Sequence, residues 1–262
     1  MSSAADHHVE YHLLYKLINA PVLSYPFPHL YAEGIFPEAY YRSMMDSFPS
    51  PEQMRPIADE RALPKDAYPS RFMLALEPAK LAALPEPRRQ IWERLRQFLL
   101  GPEFANTLLW KFGDVVKQRL TAAGIANPVF NSEAMLIDDR QNYRIGPHTD
   151  NQRKVITVLF YLPKGAGQPG LGTSIYVPND PNFRCAGGPE HPVERFQRVV
   201  TMPYQPNAVF AFVKTDNSFH GVETVTALSA RRQLLIFDMY LQAAAARPEA
   251  TPPQQPKMTF TM

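Results

Sequence analysis

The sequence predicts an α+β fold in which a helix-rich first half precedes a second half built of short β-strands. Long amphipathic stretches separated by prolines occupy residues 1 to about 128. From about Val129, short apolar runs alternate with Gly, Pro, Asn and Asp, a pattern typical of a sandwich or small barrel. We therefore expect a helix-rich part at 1–128, a β core at 129–242 and an Ala- and Pro-rich disordered tail at 243–262, forming one structural domain overall.

The first half predicts four helices, each bounded by proline or glycine. Pro21 and Pro49 end the first two, and Gly101 and Gly124 are expected C-terminal stops of the last two. Between them, residues 50–84 contain several prolines and mixed charge, and we interpret this segment as irregular. Trp92 and Trp110 fall on apolar helix faces and are predicted to be core residues. The four predicted helices are 8–20, 36–48, 86–100 and 103–123.

The second half predicts six strands, because each apolar run is four to eight residues long and is bounded by turn residues. The 262 residues, 45% of them hydrophobic, are enough to bury a sizeable core between such strands. The predicted strands are 134–137, 155–162, 174–177, 198–202, 208–213 and 232–239.

Charge and cysteine content exclude several classes of protein. The 27 basic and 25 acidic residues are mixed along the chain, so no basic stripe predicts a nucleic-acid partner. Cys185 is the one cysteine, which rules out an intrachain disulfide and favours a reducing compartment. No targeting segment and no apolar stretch of about 20 residues is apparent, so we expect a cytoplasmic protein without a membrane partner. Nothing in the sequence indicates an oligomeric state.

Three residues of the second half form a candidate metal site. In an extended segment residues i and i+2 point to the same face, so His148 and Asp150 can offer a nitrogen and an oxygen to one ion. His220 lies 72 residues later, between two predicted strands, far enough along for a sheet to fold back. Two imidazoles and one carboxylate form the facial triad associated with oxygen-activating iron(II), which leaves three positions open. A 2-oxo acid occupies two of these and dioxygen the third.

Arg231 and Arg232 open the apolar strand that follows His220. An unpaired guanidinium buried there would cost several kcal/mol, so it needs a partner. A dicarboxylate cosubstrate would supply that partner through a bidentate contact. Spacing from His220 and the strand alternation favour Arg231, with Arg232 as the alternative. Tyr143, just upstream of the His-x-Asp motif, could also reach this pocket. Arg153 and Lys154, just downstream of the motif, are interpreted as solvated turn residues.

Together these motifs resemble the 2-oxoglutarate/iron(II)-dependent dioxygenases, particularly their prolyl-hydroxylase-like branch. The His-x-Asp motif, the distal His220 in a Ser-x-His-Gly-Val context and the following arginine carry the resemblance. Supporting segments are similar to that branch's N-terminal strand and first helix (25–29, 36–38), its strand after His-x-Asp (156–162), its glycine-rich approach to the next strand (170–174) and the turn before the distal histidine (206–207).

The resemblance implies a double-stranded β-helix, the cupin-like jelly roll, with the N-terminal helices packed on its major sheet. It implies iron(II), 2-oxoglutarate as cosubstrate and O2, with ascorbate as a possible reductant. The arginine and Tyr161 would hold the far carboxylate of 2-oxoglutarate. Asp150 favours hydroxylation, because halogenating relatives lack a carboxylate ligand.

Two other classes of protein compete with this interpretation. A non-catalytic or zinc-binding cupin-like module would need neither an arginine opening the last strand nor an open coordination position. A metal-dependent hydrolase or isomerase would need further acidic or basic groups near the metal. The substrate is expected to be a small molecule or a peptidyl group, and the sequence does not select between them.

Overall fold

The computed structural model describes residues 4–61, 63–165, 168–227 and 230–242. The predicted disordered tail, 243–262, lies outside the described residues. Among the described residues, no helix is long and apolar enough to cross a membrane.

Two antiparallel sheets form the core of the second half. The major sheet has the strand order β1-β9-β6-β11-β4-β3-β2 and the minor sheet the order β5-β10-β7-β8. This is the double-stranded β-helix implied by the resemblance, and all six predicted strands form. The strands are β1 (His29–Glu33), β2 (Arg55–Pro56), β3 (Arg71–Ala75), β4 (Phe130–Asp139), β5 (Ile145–His148), β6 (Lys154–Tyr161), β7 (Ser174–Pro178), β8 (Phe196–Thr201), β9 (Ala208–Val213), β10 (His220–Val222) and β11 (Arg232–Leu241).

The prediction that residues 50–84 are irregular is wrong. This segment contains β2 and β3, which extend the major sheet, and two one-turn helices. β3 is only five residues long and pairs along its length with β4. Such a strand forms because a neighbouring strand satisfies its backbone, which local sequence patterns reveal poorly. The helix-rich half therefore contributes strands as well as helices to the core.

Seven helices are described, and the longer ones cover the outer face of the major sheet. The predicted single helix 103–123 is in fact two helices, interrupted at Phe112, after which the second helix begins at Gly113. Glycine is a poor helix residue, and the side chain of Phe112 turns into the core, so the chain bends there. The helices are α1 (Ala4–Asn19), α2 (Glu38–Asp46), α3 (Ile57–Glu60), α4 (Pro78–Leu81), α5 (Arg88–Leu99), α6 (Pro102–Lys111) and α7 (Gly113–Ala122).

The side chains of β11 alternate between two apolar clusters, which lie on opposite faces of the major sheet. Leu235 and Phe237 face the helices, while Leu234 and Ile236 face the interior between the two sheets. The same alternation decides the environment of every residue on the strand, including the arginine at its start.

The two tryptophans differ in burial. Trp92 is 0% exposed, and its indole N–H donates to the Ser47 carbonyl oxygen at 2.8 Å. Trp110 is 69% exposed, so the prediction that it is a core residue is wrong. Its helix packs through Phe104 and Leu108, which leaves the face with Trp110 toward solvent.

We expect Trp92→Ala to lower the free energy of unfolding by about 3–5 kcal/mol, because it leaves a cavity and an unpaired carbonyl. Trp110→Ala is the matched control, and it should change stability by no more than about 0.5 kcal/mol. Chemical denaturation of both variants measures the difference. Equal losses would contradict the described packing.

Candidate metal centre

The pairing of two minor-sheet strands brings the predicted histidines together. β5 and β10 run antiparallel with His148 directly opposite His220, and the ring centroids are 4.4 Å apart. Asp150 follows in the turn after β5, and its Oδ1 lies 4.0 Å from Nε2 of His220. One ligand atom from each of the three residues lies within 4.8 Å of the others. Among the described residues, no other group of histidine, cysteine or carboxylate side chains meets this criterion.

Hydrogen bonds to the backbone fix the orientation of both imidazoles. Nδ1 of His148 lies 3.0 Å from the Gly146 carbonyl oxygen, and Nδ1 of His220 lies 2.9 Å from that of Ser218. A carbonyl oxygen can only accept, so each Nδ1 carries the proton and donates it. Each Nε2 therefore keeps its lone pair for a metal, which is the usual arrangement around a ligating histidine.

Burial keeps the ligand set in the protonation state that a metal needs. Burial, together with the neighbouring His220, lowers the pKa of His148 to about 3. Burial also lowers the pKa of His220. For Asp150, burial works in the opposite direction, but the positive charge of Lys154 and the nearby histidines hold its pKa below the usual value. At neutral pH the site thus offers two neutral imidazoles and one carboxylate, as metal binding requires.

Lys154 lies inside the protein next to this carboxylate. Its ammonium is 3.3 Å from Asp150 Oδ1 and 3.0 Å from Asp238 Oδ2, and its side chain is 17% exposed. The prediction that Lys154 is a solvated turn residue is therefore wrong. Thr157 completes the network, because its hydroxyl lies 2.9 Å from Asp150 and 3.0 Å from Asp238. The network orients Asp150 before any metal binds.

We expect Lys154→Met to lower the free energy of unfolding of the metal-free protein by about 3–5 kcal/mol, because two buried carboxylates lose their shared cation. Lys117 on α7 is exposed, so the free energy of unfolding of Lys117→Met should lie within about 0.5 kcal/mol of the wild-type value. Urea denaturation in the presence of a chelator compares the two. A Lys154 variant as stable as the Lys117 variant would show that the network contributes nothing to folding.

A row of charged residues crosses the inner face of the major sheet. The register of β3, β4 and β11 places Arg71, Asp139 and Arg232 side by side. Arg232 donates to Asp139 at 2.7 Å, to the Thr173 hydroxyl at 3.1 Å and to the Leu171 carbonyl oxygen at 2.6 Å. A guanidinium has five N–H donors, so two remain beyond these contacts with described residues. Arg232 is thus buried, oriented and still able to bind a carboxylate.

Arg231 points to the other side of the sheet. It forms a two-pronged ion pair with Asp138, and it lines a different, outer cleft beside α2. Its side chain is 34% exposed, against 2% for Arg232. The sequence-based preference for Arg231 used the correct alternation, in which Arg231 shares a face of the strand with Leu235 and Phe237. That face, however, is the one that packs on the helices. The structure therefore places Arg232, and not Arg231, in the cavity that the candidate metal ligands line.

Both predicted tyrosines are buried near this row. The Tyr161 hydroxyl donates to Thr173 Oγ1 at 3.0 Å and accepts from the Thr173 backbone N–H at 3.1 Å. Tyr161 is therefore linked through Thr173 to Arg232. The Tyr143 hydroxyl accepts a hydrogen bond from Arg71. Sequence reasoning missed Arg71, because it lies on the strand that was interpreted as irregular.

These side chains enclose one cavity of about 90 Å³ between the two sheets. Its polar lining lies at two ends, with the metal ligands and Lys154 at one and Arg232 at the other, and an apolar wall between them. The wall consists of Ile145, Leu159, Val222, Leu234 and Ile236.

Fold and site together define the class: a double-stranded β-helix protein with a candidate site of two histidines and one carboxylate. No protein-family model matches the chain, and no curated protein matches it significantly. Solved structures match its fold, among them prolyl hydroxylases and other 2-oxoglutarate/iron(II) oxygenases.

Three of these solved structures serve as examples. A prolyl hydroxylase from Trichoplax adhaerens, in complex with a hypoxia inducible factor peptide fragment, has a TM-score of 0.48 at 10% identity over 90% of each chain. A Pseudomonas putida prolyl-4-hydroxylase has a TM-score of 0.45 at 12% identity over 90% of this chain and 100% of that one. The non-heme, alpha ketoglutarate dependent epimerase SnoN from nogalamycin biosynthesis has a TM-score of 0.48 at 12% identity over 95% and 89% of the two chains.

Proposed function

We propose that this protein is an iron(II)- and 2-oxoglutarate-dependent oxygenase, and that it hydroxylates a C–H bond of its substrate. The observation that carries the proposal is the shared cavity of His148, Asp150, His220 and Arg232. A facial triad alone fits several metals, but a buried cation in the same cavity fits an anionic cosubstrate.

The charges of the cavity also fit this cosubstrate. Three cations, Arg71, Lys154 and Arg232, are paired with three carboxylates, Asp139, Asp150 and Asp238. The residues alone are therefore neutral. A divalent metal adds two positive charges, and the 2-oxoglutarate dianion cancels them. Buried charges need such compensation, so the pair of ligands suits this interior better than either one alone.

The residues divide the work as follows. His148, Asp150 and His220 would hold iron(II), with Lys154 and Thr157 orienting the carboxylate. Arg232, with Thr173 and Tyr161 beside it, would hold the far carboxylate of 2-oxoglutarate. The apolar wall between these two ends excludes water from the reacting centre. Bound iron(II) would supply the oxidation, in which 2-oxoglutarate and O2 give succinate and carbon dioxide while the second oxygen atom enters the substrate C–H bond as a hydroxyl.

The test is reconstitution of the chelator-treated wild-type protein. With iron(II), 2-oxoglutarate, O2 and ascorbate we expect release of succinate and carbon dioxide in equal amounts, at a slow uncoupled rate when no substrate is added. Without O2, a visible absorption of the iron(II)–2-oxoglutarate chelate should appear. Zinc(II) in place of iron(II) should give neither signal. If the protein binds zinc(II), but iron(II) gives neither the chelate absorption nor succinate, the protein is a zinc-binding module and not an oxygenase.

A further inference from the structure

We call the cavity between the two sheets, which the candidate metal ligands line, the metal cavity. A second cavity lies next to it, on the other side of the Tyr143 side chain. It is a cleft of about 430 Å³ formed by the loop 66–70, residues 142–144 and Glu190, and we call it the loop cleft. Tyr143 lines both cavities, so the loop cleft opens next to the candidate metal site. Its volume lies within the range of about 300–1,000 Å³ that small-molecule sites occupy.

The metal cavity has no surplus cation for a substrate anion. Its three cations are matched by three carboxylates, and a divalent metal is matched by 2-oxoglutarate under the proposed function. An anionic group of a substrate would therefore enter this interior uncompensated, which costs several kcal/mol. A substrate that approaches through the loop cleft should therefore carry no anionic group where it passes Tyr143.

The loop cleft itself carries an excess of negative charge. Asp66 and Glu190 line it, against the single cation Arg144. The Glu190 side chain is 34% exposed, its Oε1 lies 3.5 Å from Arg144, and its Oε2 accepts the Gly146 backbone N–H. The Gly146 carbonyl oxygen in turn accepts the Nδ1 proton of His148. This chain of hydrogen bonds fixes the Glu190 carboxylate close to the metal ligands.

Two aromatic rings form another part of the wall. The Tyr68 and Tyr143 ring centroids are 6.4 Å apart, with the rings tilted by 51°. The Arg71 guanidinium lies over the Tyr143 ring, 4.8 Å from its centroid, and Tyr143 is 2% exposed, so Tyr68 is the ring that offers a face to the cleft. Tyr68 has a φ of +54°, in the left-handed region, which costs a residue with a side chain about 1–3 kcal/mol. The surrounding loop thus holds the Tyr68 ring in the cleft at an energetic cost. A carboxylate beside aromatic faces is the combination that recognises alkylammonium groups.

We propose that the loop cleft is the substrate subsite of this enzyme, and that its substrate is a small molecule with a protonated amine. The ammonium group binds Glu190 and the face of Tyr68, while the rest of the molecule extends past Tyr143 toward the metal. The role of the bound molecule as a substrate rests on the proposed function, whereas its binding to the loop cleft does not.

The test compares amines with alcohols of the same shape. The full chain is loaded with manganese(II) and 2-oxoglutarate without O2, and the affinities of phenethylamine, 2-phenylethanol, cyclohexylamine and cyclohexanol are measured by equilibrium dialysis. We expect each amine to bind at least about tenfold more tightly than its alcohol. Glu190→Gln should remove the preference, because the amide loses the charge but keeps an oxygen for the Gly146 N–H. Glu194→Gln, at an exposed position outside the cleft, is the matched control and should keep it.

Tyr68→Gly provides a variant that should not misfold, because glycine favours the left-handed conformation at this position. It should weaken amine binding, and the relief of the left-handed backbone conformation offsets part of the packing that the Tyr68 ring loses. Equal affinities for amines and alcohols, or a preference that survives Glu190→Gln, would overturn the inference. Succinate formation with iron(II) on the same preparation tests the proposed function separately, so that either can fail alone.

Discussion

Replacing His148 by alanine is expected to abolish both metal binding and succinate formation. The substitution removes one of three ligands, and the remaining His220 and Asp150 keep their own hydrogen bonds to Ser218 and Thr157. Changes to groups that merely orient a ligand typically reduce metal affinity by about 10–100-fold, so loss of a ligand should exceed 100-fold. Because His148 is only partly buried and lines a cavity, its removal should leave the fold intact. Iron(II) affinity and succinate release measure the two effects.

His12→Ala is the control for this variant. His12 lies on α1, and its Nε2 is 2.9 Å from the Gly34 carbonyl oxygen, so the substitution also removes a histidine with a backbone hydrogen bond. It should leave metal affinity and succinate formation at wild-type levels. Succinate formation by the His148 variant at the rate of the His12 variant would refute the metal assignment.

Replacing Arg232 by alanine is expected to raise the KM for 2-oxoglutarate by about one to three orders of magnitude, since a charge-assisted hydrogen bond contributes about 1.5–3 kcal/mol and more when buried. Iron(II) affinity should change little, because Arg232 contacts none of the three candidate ligands in the described hydrogen bonds. The variant should also be less stable, because Asp139 keeps only Arg71 as an ion-pair partner among the described residues.

Arg231→Ala is a closely matched control. This substitution likewise removes an arginine that is paired with a buried aspartate. Among the described residues, Asp138 then keeps only Arg140 as an ion-pair partner. Both variants should therefore lose stability, but only the Arg232 variant should lose affinity for the cosubstrate. A rise in KM for the Arg231 variant alone would mean that the proposed cosubstrate position is wrong.

The sequence predicted most of the β core and the three residues that the structure brings together as candidate metal ligands. Runs such as 155–162 and 208–213 are long enough and apolar enough to be strands in any context. His148 and Asp150 share a face through local geometry alone, and the His-x-Asp motif needs no knowledge of the fold.

What the sequence did not predict depends on contacts between distant segments. The choice between Arg231 and Arg232 required knowing which face of β11 meets the helices, and alternation gives two faces without saying which is inside. Lys154 was misjudged because its carboxylate partners lie 4 and 84 positions away, and only the folded sheet brings Asp238 to it. Arg71 belongs to a strand that forms through pairing with β4.

The position of Arg71 limits how the chain can be divided. The row Arg71, Asp139 and Arg232 takes its first member from the helix-rich half and the other two from the β core. A shortened chain that began at residue 129 would keep all three candidate metal ligands. It would nevertheless lose a wall of the cavity and one of the two cations on Asp139. The candidate site is therefore not confined to the β core at 129–242, and a shortened chain that keeps all of its charged residues must include β3.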